Sequence, residues 1–198
     1  VPAESVLIET PRLELREMTE HDLPALRAIL QDAETMVAYE GPFDDDEVLA
    51  WLERMMRRYT DDGFAMWAVV LRETGQMIGQ CGLTRQNILG QDVVEIGYLF
   101  NRAFWHHGYA TEAAAACKLY AFDVLGLERV YSQVRDTNVA SMNVAIRTGM
   151  TVRGRFTKHY RGVTMPHLAF AVDRVDRVDR VDQVDQVDQV DQVDQTKL

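Results

Sequence analysis

The chain has 198 residues, a net charge of −10 and an apolar fraction of 47%, values typical of a soluble globular protein and contrary to wholesale disorder. The acidic balance argues against nucleic-acid binding, which needs a basic stripe, and no run reaches the roughly 18 uninterrupted apolar residues of a membrane span. The opening Val1-Pro2-Ala3-Glu4 lacks the basic and apolar regions of a signal peptide, so a cytoplasmic setting is expected, with Cys81 and Cys117 as free thiols.

Residues 7–17 alternate apolar and polar side chains around Leu13 and Leu15 and predict a first strand. Thr19 reads as an N-cap with Asp22 three residues on, ahead of Leu23, Leu26, Ile29 and Leu30 at helical spacing. Asp44-Asp45-Asp46-Glu47 opens a second helix, its acids suited to the positive end of the dipole. Val48, Trp51, Leu52, Met55 and Met56 form its apolar face. Two helices after one strand predict a lid-like insertion. Strands follow over residues 64–71, 77–84 and 93–100, with a turn at Thr74-Gly75 and a loop around Gly90. An alanine-rich helix then runs from Tyr109 or Ala110 to near Gly126. A strand over 129–135, a short helix over 139–148 closed by Gly149, and two strands to about Val172 complete the body. The order β-αα-βββ-α-β-α-ββ implies an α+β fold, with a mixed sheet of about seven strands and a central crossover.

The chain thus divides into a domain over residues 1–172 and a tail over 173–198. Val-Asp-Arg occurs three times from Val172, followed by five Val-Asp-Gln units to Gln195. A period of three fits neither helix nor strand, because each valine on a helix drifts by about 60° from the last. Disorder, or extension without function, is the expectation. The tail contributes −4 to the net charge and the body −6. That balance is compatible with an amine-bearing substrate and equally with plain solubility.

The strongest chemical signal is the junction from Val93 to Ala116. A strand ends at Phe100, a loop containing Gly108 follows, and a helix begins. Small residues at Gly108 and Ala110 let backbone N–H groups at a helix N-terminus close around an anion such as a pyrophosphate, and Thr111 adds a hydroxyl. The segment matches neither the P-loop nor the dinucleotide fingerprint.

The run Glu95-Ile-Gly-Tyr-Leu-Phe, followed by Phe104-Trp-His-His-Gly-Tyr-Ala-Thr-Glu-Ala, resembles the acetyl-CoA loop of RimJ/RimL-type enzymes of the GNAT superfamily of N-acetyltransferases. Asp136-Thr-Asn-Val-Ala-Ser141, continuing to Arg147-Thr-Gly-Met150, resembles the family's downstream helix. Thr10-Pro-Arg-Leu-Glu-Leu-Arg16 resembles its opening strand. The three matches occur in order and span residues 7–172. The resemblance implies a sheet splayed between the fourth and fifth strands, with pantetheine in the gap bonded to the backbone of Leu99 and Phe100. It implies that His106, His107, Gly108, Tyr109, Ala110 and Thr111 hold the pyrophosphate, that Asn138 bonds the pantetheine arm, and that Arg147 reaches a CoA phosphate.

Two departures stand out. His106 replaces a glycine of the family's loop, so either the loop is tighter or the position does not need positive φ. Ala145 stands where many GNAT enzymes carry a tyrosine that protonates the leaving thiolate. Ser141 is the candidate acid by resemblance, and a helix-bracing hydroxyl is its structural alternative. Glu95, in an apolar strand where burial raises its pKa, matches the position of the general base in some members. Its alternative is an acid facing solvent on the sheet or bonded to a neighbouring strand. His106 and His107 are adjacent, lack partner ligands and do not read as a metal site, and none is expected. His159, His167, Trp51, Met55, Met56 and Trp67 are candidates to line a substrate groove, with surface or core placement the leading expectation. The implied function is acetyl transfer from acetyl-CoA to a primary amine, either a protein N-terminus or a small molecule. A homodimer is compatible with the resemblance. The alternatives are a non-catalytic acyl-CoA sensor or scaffold, and an interaction protein acting through its tail.

Overall fold

A computed structural model describes residues 6–39, 41–160 and 162–174. Twelve elements follow in chain order: β1 (Val6–Glu9), β2 (Leu13–Arg16), α1 (Leu23–Leu30), α2 (Asp45–Asp61), β3 (Met66–Leu71), β4 (Gln76–Ile88), β5 (Gln91–Phe100), α3 (Tyr109–Asp123), β6 (Arg129–Arg135), α4 (Val139–Arg147), β7 (Thr151–Tyr160) and β8 (Val163–Asp173). The sheet has eight strands in the order β1-β2-β3-β4-β5-β6-β8-β7. The mixed α+β architecture is as expected, with one more strand than the sequence suggested. The expected first strand is two, because the Thr10 amide and hydroxyl both bond to Leu13 O, at 2.9 and 3.2 Å, and close a turn at Pro11. β1 therefore folds back antiparallel on β2.

The helices cover the two faces. Asp44 caps α2 by accepting from Glu47 N at 2.8 Å, while Glu47 returns a carboxylate to Asp44 N at 2.9 Å. This reciprocal box satisfies two orphan donors. Val48, Leu52 and Met55 of α2 are buried with Leu26, Ile29 and Leu30 of α1 against Met66, Ala68 and Val70 of β3. Each such burial stabilises by roughly 1.5–3 kcal/mol. The expected lid is thus a second core layer. On the opposite face, α3 presents Ala113, Ala114, Cys117 and Ala121, whose small side chains let it lie close on Ile96, Cys81 and Leu83. The Cys81 and Cys117 thiols are buried, free and 3.5 Å apart.

Every neighbouring pair of strands is antiparallel except β5 and β6, which run parallel and share a single residue pair, Glu95 with Tyr131. Beyond it they diverge, which is the splay implied above. Among the described residues no helix is long and apolar enough to cross a membrane. The repeat from residue 175 onward lies outside the described residues. Asp173, in the first Val-Asp-Arg unit, ends β8 and pairs with Arg129 and Arg153.

Candidate active site

The split between β5 and β6 opens a cavity of 650 Å³. Side chains stitch its closed end. Ser132 donates to Ile96 O at 2.8 Å, and the Glu95 carboxylate accepts from Gln133 N at 3.0 Å and from Gln133 Nε2 at 2.9 Å. Glu95 therefore satisfies a β6 amide that the diverging strand leaves behind. Glu95 thus bonds the neighbouring strand and also lines the cavity. Burial pushes its carboxyl above the ordinary range. The Gln133 donors and the charges of Lys158 and Arg58 offset only part of that rise.

Strand alternation assigns the cavity residues to two faces, because residues opposite each other across an antiparallel ladder share a face. Glu95 lies opposite Thr84, two residues along each strand from the Gly97–Gly82 pair, which adjoins Met66 of the α1/α2 core. Gln133 and Arg135 share that face with His167, Met165 and Lys158 through the β6–β8 and β8–β7 registers. Tyr39, Phe43 and Trp51 border it as an aromatic cluster with ring centroids 6.0–6.4 Å apart, and Trp51 Nε1 donates to Gln80 Oε1 at 2.9 Å. Tyr98 lies on the other face, in the core that includes α3. Its hydroxyl donates to Ser141 O at 2.8 Å and accepts from Ser141 Oγ at 3.0 Å. Burial pushes the Tyr98 phenol up to about 12, although hydrogen bonds from Ser141 and Ser132 pull the other way. The cavity thus joins two half-sites through the sheet, with a carboxyl on one side and a hydroxyl pair on the other.

Glu95, Leu99, Asn138 and Ser141 line this cavity. Asn138 is the N-cap of α4, accepting from Ser141 N at 3.0 Å, so the cap is Asn138 and the Ser141 hydroxyl is spared that task. Phe100 is core, and its carbonyl already accepts from Trp105 Nε1 at 2.8 Å. Only Leu99 of that expected pair borders the cavity. Arg147 is exposed at the far end of α4. His159, His167 and Trp51 border the cavity, the second of the two placements expected for them, whereas Met55 and Trp67 are core and Met56 is exposed. Tyr98 was missed by sequence reasoning. Ala145, buried one turn after Ser141, leaves α4 without a phenol, and β5 supplies one instead.

The loop from His106 to Thr111 ends at the α3 N-terminus. Gly108 caps α3 with φ 81°, and the amides of Tyr109, Ala110 and Thr111 have no acceptor within the helix. His106 has φ 65°. The position does need positive φ, and the histidine adopts a glycine conformation at a cost of roughly 1–2 kcal/mol. A strap from the other end of the chain closes the loop. Arg12 Nε donates to Glu112 Oε2 at 2.7 Å, Arg12 Nη1 to His107 O at 3.0 Å, and the guanidinium lies 4.6 Å from the Tyr109 ring centroid. His107 stacks on Tyr109 at 5.6 Å. Among the described residues no group of three His, Cys, Asp or Glu could hold a metal.

Residues 12–151 match the profile of the acetyltransferase (GNAT) domain. The chain belongs to the GNAT acetyltransferase family. It is 36% identical over 142 residues to the uncharacterized protein YkkB of Bacillus subtilis, covering 71% of this chain and 83% of that one. It is 30% identical over 152 residues to the uncharacterized N-acetyltransferase YnaD of the same organism, covering 76% and 86%. RimL, a ribosomal α-N-protein acetyltransferase, shares the fold with a TM-score of 0.72 at 20% identity, covering 88% of this chain and 99% of that one. This GNAT chain is an acetyl-CoA-dependent acyltransferase. Its splayed strands and open helix terminus fit an extended, amide-bearing cosubstrate that ends in phosphates.

Proposed function

We propose that this GNAT enzyme transfers an acetyl group to a primary amine by direct attack in a ternary complex, with Glu95 as base and Ser141, oriented by Tyr98, as acid. The observation that carries the reading is the placement of these groups on opposite sheet faces of one cavity. Acetyl-CoA supplies a thioester carbonyl and a thiolate leaving group. Glu95, with its raised pKa, takes a proton from an amine arriving on the α1/α2 face. The Ser141 hydroxyl turns its one proton from the Tyr98 oxygen to the sulfur on the α3/α4 face, while the phenol of Tyr98 keeps hold of Ser141 through its bond to the Ser141 carbonyl. The Gly97 and Leu99 strand edge and Asn138 hold the pantetheine arm. The Tyr109, Ala110 and Thr111 amides, with His106, His107 and Gly108, hold the pyrophosphate, and Arg147 an outer phosphate. The acceptor is a protein α-amine or a small-molecule amine, and the setting is the cytoplasm, consistent with two unbridged buried thiols.

Release of free CoA from acetyl-CoA, measured with a panel of amines and N-terminal peptides, tests this. Amine-dependent turnover that falls in Glu95→Gln and Ser141→Ala, with CoA affinity retained, is expected. Tight CoA binding without amine-dependent turnover on any acceptor would instead favour a sensor module.

A further inference from the structure

The acceptor face of the cavity contains a histidine that the acid–base chemistry above leaves unused. His167 of β8 is 7% exposed and borders the cavity. Its ring packs against Phe156 with centroids 5.6 Å apart, and Nδ1 lies 2.9 Å from Met165 O. A carbonyl only accepts, so Nδ1 carries the ring proton and Nε2 the lone pair. Burial first, then the charges of Lys158 and Arg135, hold the ring below the ordinary histidine range, against the opposing pull of Met165 O and the Asp136 carboxylate. The imidazole is therefore neutral at neutral pH, and Nε2 is an acceptor. Among the described residues Nε2 has no hydrogen-bond partner.

A second acceptor on the same face shares that condition. Gln133 gives its Nε2 to the Glu95 carboxylate at 2.9 Å, which fixes Oε1 as the end of the amide left to accept. That oxygen is buried and has no partner among the described residues. Gln133 faces Ala169 and Arg135 faces His167 across the β6–β8 ladder, so Gln133 and His167 are diagonal neighbours, about 7–8 Å apart and within reach of one ligand. Beside Glu95 the wall thus presents lone pairs that want donors, and a buried acceptor left unmet is costly. Under the reading above, CoA does not meet them. Its arm enters past Tyr98 and Ser141 on the other face, so the ligand on this face is the acceptor.

We infer that His167 is a specificity-determining residue, and that the acceptor carries a hydrogen-bond donor beside its amine, an amide N–H or a hydroxyl, which His167 Nε2 accepts while Glu95 takes the amine proton. This rests on the acetyltransferase reading and specifies its substrate class. An acceptor lacking the donor leaves Nε2 buried and unpaired, and a site built to bond a substrate N–H or O–H rejects such an analogue strongly.

The test compares matched acceptors that differ only in that donor. One arm uses short peptides against esters in which oxygen replaces the first peptide N–H. The other uses small amines bearing a hydroxyl or an amide N–H against their methyl ethers or fully N-methylated amides. The donor-bearing member is expected to have a roughly tenfold or higher kcat/KM in one arm, and that arm names the source of the donor. Two substitutions separate this role from bracing of the strand. His167→Asn keeps an N–H for Met165 O and offers nothing at the Nε2 position, whereas His167→Gln brings an amide oxygen to that position and gives up the bond to Met165. The donor-to-blank ratio should fall severalfold in His167→Asn and survive in part in His167→Gln, with Tm and acetyl-CoA affinity as checks on folding. Wild-type turnover blind to the donor, a ratio undiminished in His167→Asn, or the reverse order of the two variants would overturn the inference alone. Absence of amine-dependent turnover with every member would overturn the transferase reading and this inference with it.

Discussion

Glu95 carries two tasks that pull its ionisation in opposite directions. As a wedge between β5 and β6 it accepts two hydrogen bonds from Gln133, which favour the carboxylate, but its burial favours the acid, and burial wins. The folded protein therefore holds this proton more tightly than the unfolded chain. The associated stability is present below the usual glutamate pKa of 4.5 and is lost as pH rises through the raised value. Under the proposed mechanism activity needs the carboxylate and climbs over the same window. Glu95→Gln should lower kcat by roughly 10²–10⁴ and remove the acidic limb of the pH–rate profile. In melts from about pH 4 to about pH 8, the variant should escape the decline that Glu95 causes in the wild type. Tyr98 is the other residue on which the proposed mechanism depends. Tyr98→Phe leaves the Ser141 carbonyl without its donor, a loss of roughly 1–3 kcal/mol, and should slow kcat about tenfold. Combined with Ser141→Ala it should cost no more than the worse single change, because the two hydroxyls form one network. Multiplicative losses in the double variant would separate their roles.

At the scale of elements, the loop from His106 to Thr111 is held less by its own sequence than by the turn between β1 and β2. Glu112 in the first turn of α3 accepts from Thr10 Oγ1 at 2.7 Å, Arg12 N at 3.0 Å and Arg12 Nε at 2.7 Å. Its partial burial opposes ionisation, but these donors more than offset it and hold the carboxyl below its usual range. The turn that splits the expected first strand is thus what lets Arg12 reach His107. Glu112→Ala should release that strap and raise the Kd for acetyl-CoA about tenfold, a loss of about 1.4 kcal/mol, as read by titration of CoA. Unchanged affinity would mean that the loop holds its shape unaided.

For the molecule as a whole, the proposed function has the two faces of one sheet separate the two substrates, with the split between β5 and β6 joining them. We propose that the repeat has no part in this arrangement. Asp173 belongs to β8 through its pairs with Arg129 and Arg153, so removal of residues 175–198 should leave Tm and acetyl transfer unchanged. Removal from Asp173 onward should lower Tm slightly, since both pairs are exposed. Loss of turnover on the shorter truncation would give the tail a role in catalysis.

Periodicity and turn residues made ten of the twelve elements legible, because Leu23, Leu26, Ile29 and Leu30, or Val93 through Phe100, state their spacing locally. The expected first strand hid two elements, since Thr10 breaks it through its bonds to Leu13 and not through any change in apolar alternation. Glu95 and Ser141 could be named from their motifs, but not what they touch. The bond from Glu95 to Gln133 spans 38 positions, and that from Tyr98 to Ser141 spans 43. No local pattern encodes such distances. The sequence by itself determined the elements and the glycine-bearing loop, because those follow from dihedrals and hydrophobic period. Only the tertiary structure decided which side chains meet across the split sheet, because a diverging parallel pair leaves groups that residues far apart in the chain must satisfy.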